Sequence, residues 1–238
     1  MKFSIRRDVS LTSYPQDLSG FEGIPIELAL PYVLDSFLAG MDHLDDLAAY
    51  VQSAGIIVCS VHAAQGRLSD EAFMSWALPT THFAEKIGAG VIVFHPERTA
   101  KADRTNLQLV ALANAKRLQR ETDATVAIET FANPRCVLTP EEILEKKLPM
   151  ILDTSHLFPE RIFGIIEAYS QGIAGIHLSE LRGEGKESLP HLPVETYGFA
   201  ILEALRATGW DGNVTLEYLP QFRGRLIPDR AALEELFA

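Results

Sequence analysis

Six short apolar runs in this chain each end on a carboxylate or an imidazole, and that pattern restricts the fold more than any other feature. Val91–Phe94 leads into His95, Val126–Ile128 into Glu129, and Met150–Leu152 into Asp153. Ile173–Ile176 leads into His177, Val214–Leu216 into Glu217, and a longer run from Gly55 reaches His62. A buried strand has no structural reason to finish on an ionisable group, because burying one costs several kcal/mol unless it is paired or metal-bound. Six repeats of one arrangement point to side chains converging on a common rim. That is the pattern of a metal centre at the mouth of a parallel barrel.

The spacing supports the same architecture. Eight candidate strands fall near residues 2–7, 24–30, 55–62, 90–95, 125–131, 149–153, 173–178 and 213–218. They are short and rich in Val and Ile, as expected when both faces of a sheet are covered. Amphipathic stretches of helical period lie between them, including Asp42–Val51 and Arg104–Lys116. Asp70, Asp103 and Thr139 stand at expected N-cap positions, and Pro140 suits a first helical position. Strand–helix alternation at this spacing predicts an α/β chain folded as a (β/α)₈ TIM barrel, a single domain over residues 1–238. The competing doubly wound sheet lacks a Gly-rich phosphate loop after its first strand. The longest irregular connection, about 179–197, follows the seventh strand, on the rim where barrel enzymes place their chemistry.

Charge and composition remove other classes. The formal charge of −11 opposes non-specific attraction to nucleic-acid backbones, so nucleic acid is not the expected partner. Cys59 and Cys136 form no ligand-spaced pair and read as free thiols. No run approaches the ~18 apolar residues of a membrane span, and the first residues lack the apolar stretch of a signal peptide. A cytoplasmic protein without a membrane partner is expected.

Two more histidines join the rim set: His156, three residues after Asp153, and His191 in the long loop. Nitrogen and oxygen donors without thiolates suit Zn²⁺ or Mn²⁺, and also Fe²⁺ or Co²⁺, rather than a structural zinc knot. Bridging carboxylates allow one or two divalent ions per chain. Each residue also has a plainer role. His62 and His95 can be hydrogen-bonded core histidines, Asp153 can cap the turn at Thr154, and His156 can be a partner of a ligand. Glu27, ending the second strand, either orients substrate or a ligand, or sits in a satisfied ion pair. His43 and His82 read as surface or packing residues.

The segments Ser60–Ala63, Val93–Glu97, Ala127–Glu129, Leu152–His156, Ile176–Glu180 and Leu216–Glu217 resemble, in order, the xylose-isomerase-like superfamily. That group holds sugar (phosphate) isomerases and epimerases together with endonuclease IV, the family 2 AP endonucleases. The resemblance implies a metal quartet of Glu129, Asp153, His177 and Glu217, with Glu129 and Glu217 doubling as the acid–base pair. His156 and Arg182 then steady substrate oxygens, and Arg182 or Lys186 holds a phosphate if the sugar carries one. The endonuclease branch adds histidines, which His62, His95, His156 and His191 match as a second metal site. It also has an acidic residue two positions before the loop histidine, where this chain has Leu189, and bulky residues after the first histidine, where this chain has Ala63 and Ala64. The leading expectation is therefore a metal-dependent isomerase or epimerase of a small sugar, sugar phosphate or related polyol, using Zn, Mn or Co. An endonuclease IV-like phosphodiesterase on abasic DNA, a lyase on a cyclic polyol, and a non-catalytic metal- or sugar-binding barrel are the alternatives. A homo-oligomer is expected by analogy alone.

Overall fold

The computed structural model describes residues 1–100, 103–183 and 188–238. Eight strands hydrogen-bond in a closed parallel barrel: β1 (Lys2–Asp8), β2 (Pro25–Ala29), β3 (Ile57–His62), β4 (Val91–Phe94), β5 (Thr125–Glu129), β6 (Met150–Asp153), β7 (Ile173–Leu178) and β10 (Asn213–Leu216). The closed order is β1-β10-β7-β6-β5-β4-β3-β2. Two further strands, β8 (Glu180–Arg182) and β9 (Leu189–Leu192), pair antiparallel after β7. The expected (β/α)₈ class is the observed one. The connection after β7, expected to be irregular, instead carries this hairpin.

The chain clusters into two compact units. The first comprises Met1–Ile5, Glu129–Ala132 and Pro140–Ala238, and the second Arg6–Ile128 and Asn133–Thr139. In the first, Val214 pairs with Phe3 on one side and Ile176 on the other, and Asp153 pairs with His177. Helices α6 (Pro140–Glu145), α7 (Pro159–Tyr169), α8 (Tyr197–Ala207) and α9 (Leu226–Leu236) belong to this unit. Ile162, Ile165 and Ile166 of α7 and Ile201, Leu202 and Leu205 of α8 are buried, spaced three and four apart as one helical face requires. Trp210 is also buried, its indole N–H donating to the Ile173 carbonyl at 2.8 Å.

The second unit holds β2, β3 and β4 with α1 (Tyr14–Leu18), α2 (Leu34–Gly40), α3 (Leu44–Ser53), α4 (Phe73–Lys86) and α5 (Arg104–Arg120). Phe73, Trp76 and Phe94 form an aromatic cluster at its centre, with centroids 5.1–5.8 Å apart. Asp103 caps α5 by position, as expected, but α4 begins at Phe73 rather than just after Asp70. The Asp70 carboxylate accepts the Ala72 N–H at 2.9 Å and so shapes the turn before the helix.

Candidate metal centre

Glu129, Asp153, His177 and Glu217 all belong to the first unit, and each lies at, one residue before or one residue beyond the end of its strand. In a parallel barrel these ends form the catalytic rim. The four offer ligand atoms that all lie within 4.8 Å of one another. A single atom, His177 Nδ1, lies 2.6 Å from Glu129 Oε1, 3.3 Å from Glu217 Oε2 and 4.0 Å from Asp153 Oδ2. Glu129, Asp153 and His177 are essentially sealed from solvent, whereas the Glu217 side chain keeps 16 % of its surface exposed.

Electrostatics make this an incomplete set. Three carboxylates around one imidazole leave a net negative charge of two even when the histidine is protonated, inside a site that water barely reaches. Asp153 divides its two oxygens. Oδ1 accepts the Ser155 N–H at 2.7 Å and the Ser155 hydroxyl at 2.8 Å, which fixes the turn after β6. Oδ2 is buried and accepts no hydrogen bond, although His156 Nδ1 stands 3.3 Å away. The capping role and the rim role expected as alternatives thus coexist on one side chain. Oxygen-rich donors with one imidazole, and an orphaned buried oxygen among them, fit a hard or borderline divalent cation.

A second group in the same unit, Asp153, His156 and His191, also offers ligand atoms within 4.8 Å. The His156 ring stacks on Phe131, centroids 4.0 Å apart, and meets His191 edge-on at 5.2 Å. His191 Nδ1 lies 3.2 Å from the Ser155 hydroxyl and 3.4 Å from that of Ser179. The His191 backbone is left-handed, with φ of 56°, a conformation rare outside glycine. The apolar-run pattern carried no sign of Phe131. Nor did it mark Glu180, which is buried and accepts the Glu195 N–H at 2.8 Å and the Thr196 hydroxyl at 3.1 Å. This carboxylate organises the turn into α8. The Tyr197 hydroxyl beside it bonds the Leu181 N–H, and burial pushes its pKa up to about 12.

The remaining expected site residues belong to neither of these two groups. In the second unit His62 and His95 pack ring to ring with centroids 4.6 Å apart, and Tyr32 meets the His95 edge at 5.7 Å. Glu27 is buried and accepts the Ser60 hydroxyl at 2.7 Å. Arg182 is exposed and pairs with Glu195 at 2.9 Å. Lys186 lies outside the described residues. His43 and His82 are exposed, as expected.

The sequence profile of the xylose isomerase-like TIM barrel family matches residues 18–236. The chain belongs to that family. No curated protein matches it in sequence. Among solved structures, a D-tagatose 3-epimerase-like protein is similar, with a TM-score of 0.68 at 18 % identity over 100 % of this chain and 96 % of its own. The family 2 AP endonuclease of Brucella melitensis aligns with a TM-score of 0.66 at 16 % identity, covering 98 % of both chains. Endonuclease IV from Thermus thermophilus aligns with a TM-score of 0.60 at 15 % identity, over 99 % of this chain and 100 % of its own. At such identities the likeness is one of fold, shared by the xylose isomerase-like epimerase and endonuclease branches alike. Among the described residues, no helix is long and apolar enough to cross a membrane.

Proposed function

We propose that this member of the xylose isomerase-like family is a divalent-metal-dependent isomerase or epimerase of a small sugar, sugar phosphate or related polyol. The reading is carried by one observation: three carboxylates converge on a single imidazole nitrogen at the barrel rim. Glu129, Asp153, His177 and Glu217 would hold the ion. A Zn²⁺, Mn²⁺ or Co²⁺ ion held there would polarise a substrate carbonyl and the neighbouring hydroxyl. Glu217 is the only one of the three carboxylates with an exposed edge, so it meets an entering substrate first and removes a proton from the carbon beside the carbonyl. Glu129, held by His177 at 2.6 Å, is the second carboxylate of the pair and returns a proton. His156, braced on Phe131, steadies a substrate oxygen. The similarity to a D-tagatose 3-epimerase-like protein agrees with this choice of chemistry.

A second reading, a phosphodiesterase like the family's endonucleases, draws on the Asp153, His156 and His191 group, which offers a place for a further ion. Leu189 argues against it, since an exposed leucine stands where that branch carries an acidic residue. The deciding experiment measures metal per chain by inductively coupled plasma mass spectrometry, then proton exchange at sugar carbons in D₂O. One ion per chain, with deuterium entering beside the carbonyl of an accepted sugar, is the expected result. Two or three zinc ions with cleavage of abasic duplex would replace the isomerase reading with the nuclease one. Protein that binds no divalent ion would end both.

A further inference from the structure

The second unit contains a cavity of about 1100 Å³ whose polar lining is Arg98, Thr99, Arg104, Thr105, Asn133 and Arg135, completed by Ala100 and Pro134. Three arginines, two threonines and an asparagine are among its lining residues, and none of these is acidic. This chain has 32 acidic residues against 21 basic ones, so such a cluster runs against its composition. Like charges lining one cavity repel one another, and the arrangement becomes favourable when an anion occupies it.

The wall is built on paired backbone. The Thr99 N–H donates to the Arg135 carbonyl at 2.9 Å and the Val137 N–H to the Glu97 carbonyl at 2.8 Å, with Arg98 and Cys136 facing as an antiparallel bridge. The loops after β4 and β5 are thereby stitched together, placing Arg98 on one and Arg135 on the other. Arg104 Nε donates to the Cys136 carbonyl at 2.8 Å, which orients its guanidinium. The Arg135 N–H is taken by the Asn133 side-chain oxygen at 2.9 Å, tightening the turn that presents Arg135. Arg104 and Thr105 also open the 17-residue helix α5, whose positive end favours an anion.

We propose that this cavity binds a phosphate group carried as a phosphomonoester on a small ligand. Guanidinium forks match phosphate oxygens in pairs, and three of them suit a dianion better than a single carboxylate. The volume slightly exceeds the roughly 300–1,000 Å³ typical of small-ligand pockets, which leaves room for the organic part of the ester. A net charge of −11 disfavours a long polyanion and so favours a small one. The phosphate assignment stands by itself. The identity of the rest of the ligand, a sugar, rests on the isomerase reading.

The test is calorimetric titration of the whole protein with inorganic phosphate in EDTA, ionic strength fixed with KCl, together with thermal unfolding in the same buffers. Wild type should bind phosphate saturably and unfold at a higher temperature than in KCl. Arg98→Ala/Arg135→Ala alters two exposed side chains, so its unfolding temperature in KCl should match wild type while phosphate affinity falls at least tenfold. Arg98→Lys/Arg135→Lys keeps charge without the fork and should lose affinity only several-fold. Wild type that responds no more to phosphate than to KCl overturns the proposal, as does a double-alanine variant with unchanged affinity. A 12-base-pair duplex that binds to these arginines and is not displaced by phosphate overturns it in favour of nucleic acid. Because this titration is metal-free, phosphate binding here, with no metal binding or turnover in separate EDTA-free assays, would sink the isomerase reading and leave this one standing.

Discussion

Asp153→Asn separates the charge of the quartet from its shape. The amide oxygen still accepts both Ser155 hydrogen bonds, so the turn after β6 persists and only the Oδ2 position changes from oxyanion to amide. The quartet's ligand atoms lie within 4.8 Å of one another. Two like charges at that separation repel by about 3.5 kcal/mol at an effective dielectric constant of 20. In metal-free protein the substitution removes two such repulsions, from Glu129 and Glu217. It gives up the attraction of a protonated His177, whose Nδ1 lies 4.0 Å from Oδ2, worth about 4 kcal/mol on the same footing. The metal-free variant is therefore expected to gain about 2–3 kcal/mol, or roughly 5–10 °C in Tm for a chain of this size. Wild type responds to metal instead: an ion at a hundredfold excess over its Kd adds about 2.7 kcal/mol, again some 5–10 °C. The assay is differential scanning calorimetry in EDTA and in Mn²⁺, Co²⁺ or Zn²⁺ at matched ionic strength. The variant should lead in EDTA and respond little to metal. A wild type indifferent to all three ions, or a variant keeping the full metal response, refutes the reasoning. A variant several degrees less stable in EDTA would make the carboxylate a structural anchor of its turn.

Other expectations follow from the same geometry. Glu217→Gln should lower kcat by about 10²–10⁴, read in a coupled sugar assay, because it removes the one solvent-reachable carboxylate of the acid–base pair. Arg182→Ala should change stability by less than about 1 kcal/mol in urea titration, since its ion pair with Glu195 is exposed. Gly66→Ala should cost about 1–3 kcal/mol in the same titration, because a Cβ there overlaps the buried Trp76 ring. Tyr197 releases its proton near 10 when unfolded and near 12 when folded. The folded state thus holds the proton longer, and the resulting stability is complete below pH 10 and lost as pH rises towards 12. Stability measured across that range should fall less steeply in Tyr197→Phe.

The barrel was legible because its strands are covered on both faces and so appear as unbroken apolar runs, each stopped by an ionisable residue at the rim. Val91–Phe94 and Met150–Asp153 are only four residues long, yet His95 and Asp153 mark where they end. The quartet followed for the same reason, Glu129 and Asp153 ending their strands, Glu217 following its own and His177 standing one residue before the end of β7. What stayed hidden depends on contacts distant in sequence. Phe131 is an ordinary aromatic until its ring lies against His156, and Glu180 is an ordinary surface-type residue until the 195–198 backbone turns onto it. Strands β8 and β9, three and four residues long, are too short to show strand alternation. Asp70 has the chemistry of a cap, but the chain makes a turn before committing to helix at Phe73.

The two histidines of the first unit outside the quartet bear on how many ions the site takes. His156 Nδ1 already lies 3.3 Å from the Thr130 carbonyl, and His191 Nδ1 lies within 3.4 Å of two serine hydroxyls. An ion held through either Nδ1 must break those contacts, while one held through Nε2 keeps them but meets a strained His191 backbone with little freedom to adjust. The quartet's Nδ1 is different, because its neighbours are carboxylates that an ion would satisfy rather than strip. Metal should therefore fill the quartet first, and any second ion should bind more weakly. Leu189 leaves that second position without the acidic group that could offset the broken hydrogen bonds. A zinc titration followed by calorimetry should then show one tight step per chain. His191→Ala should leave that step in place, whereas two equal tight steps in wild type would contradict the argument.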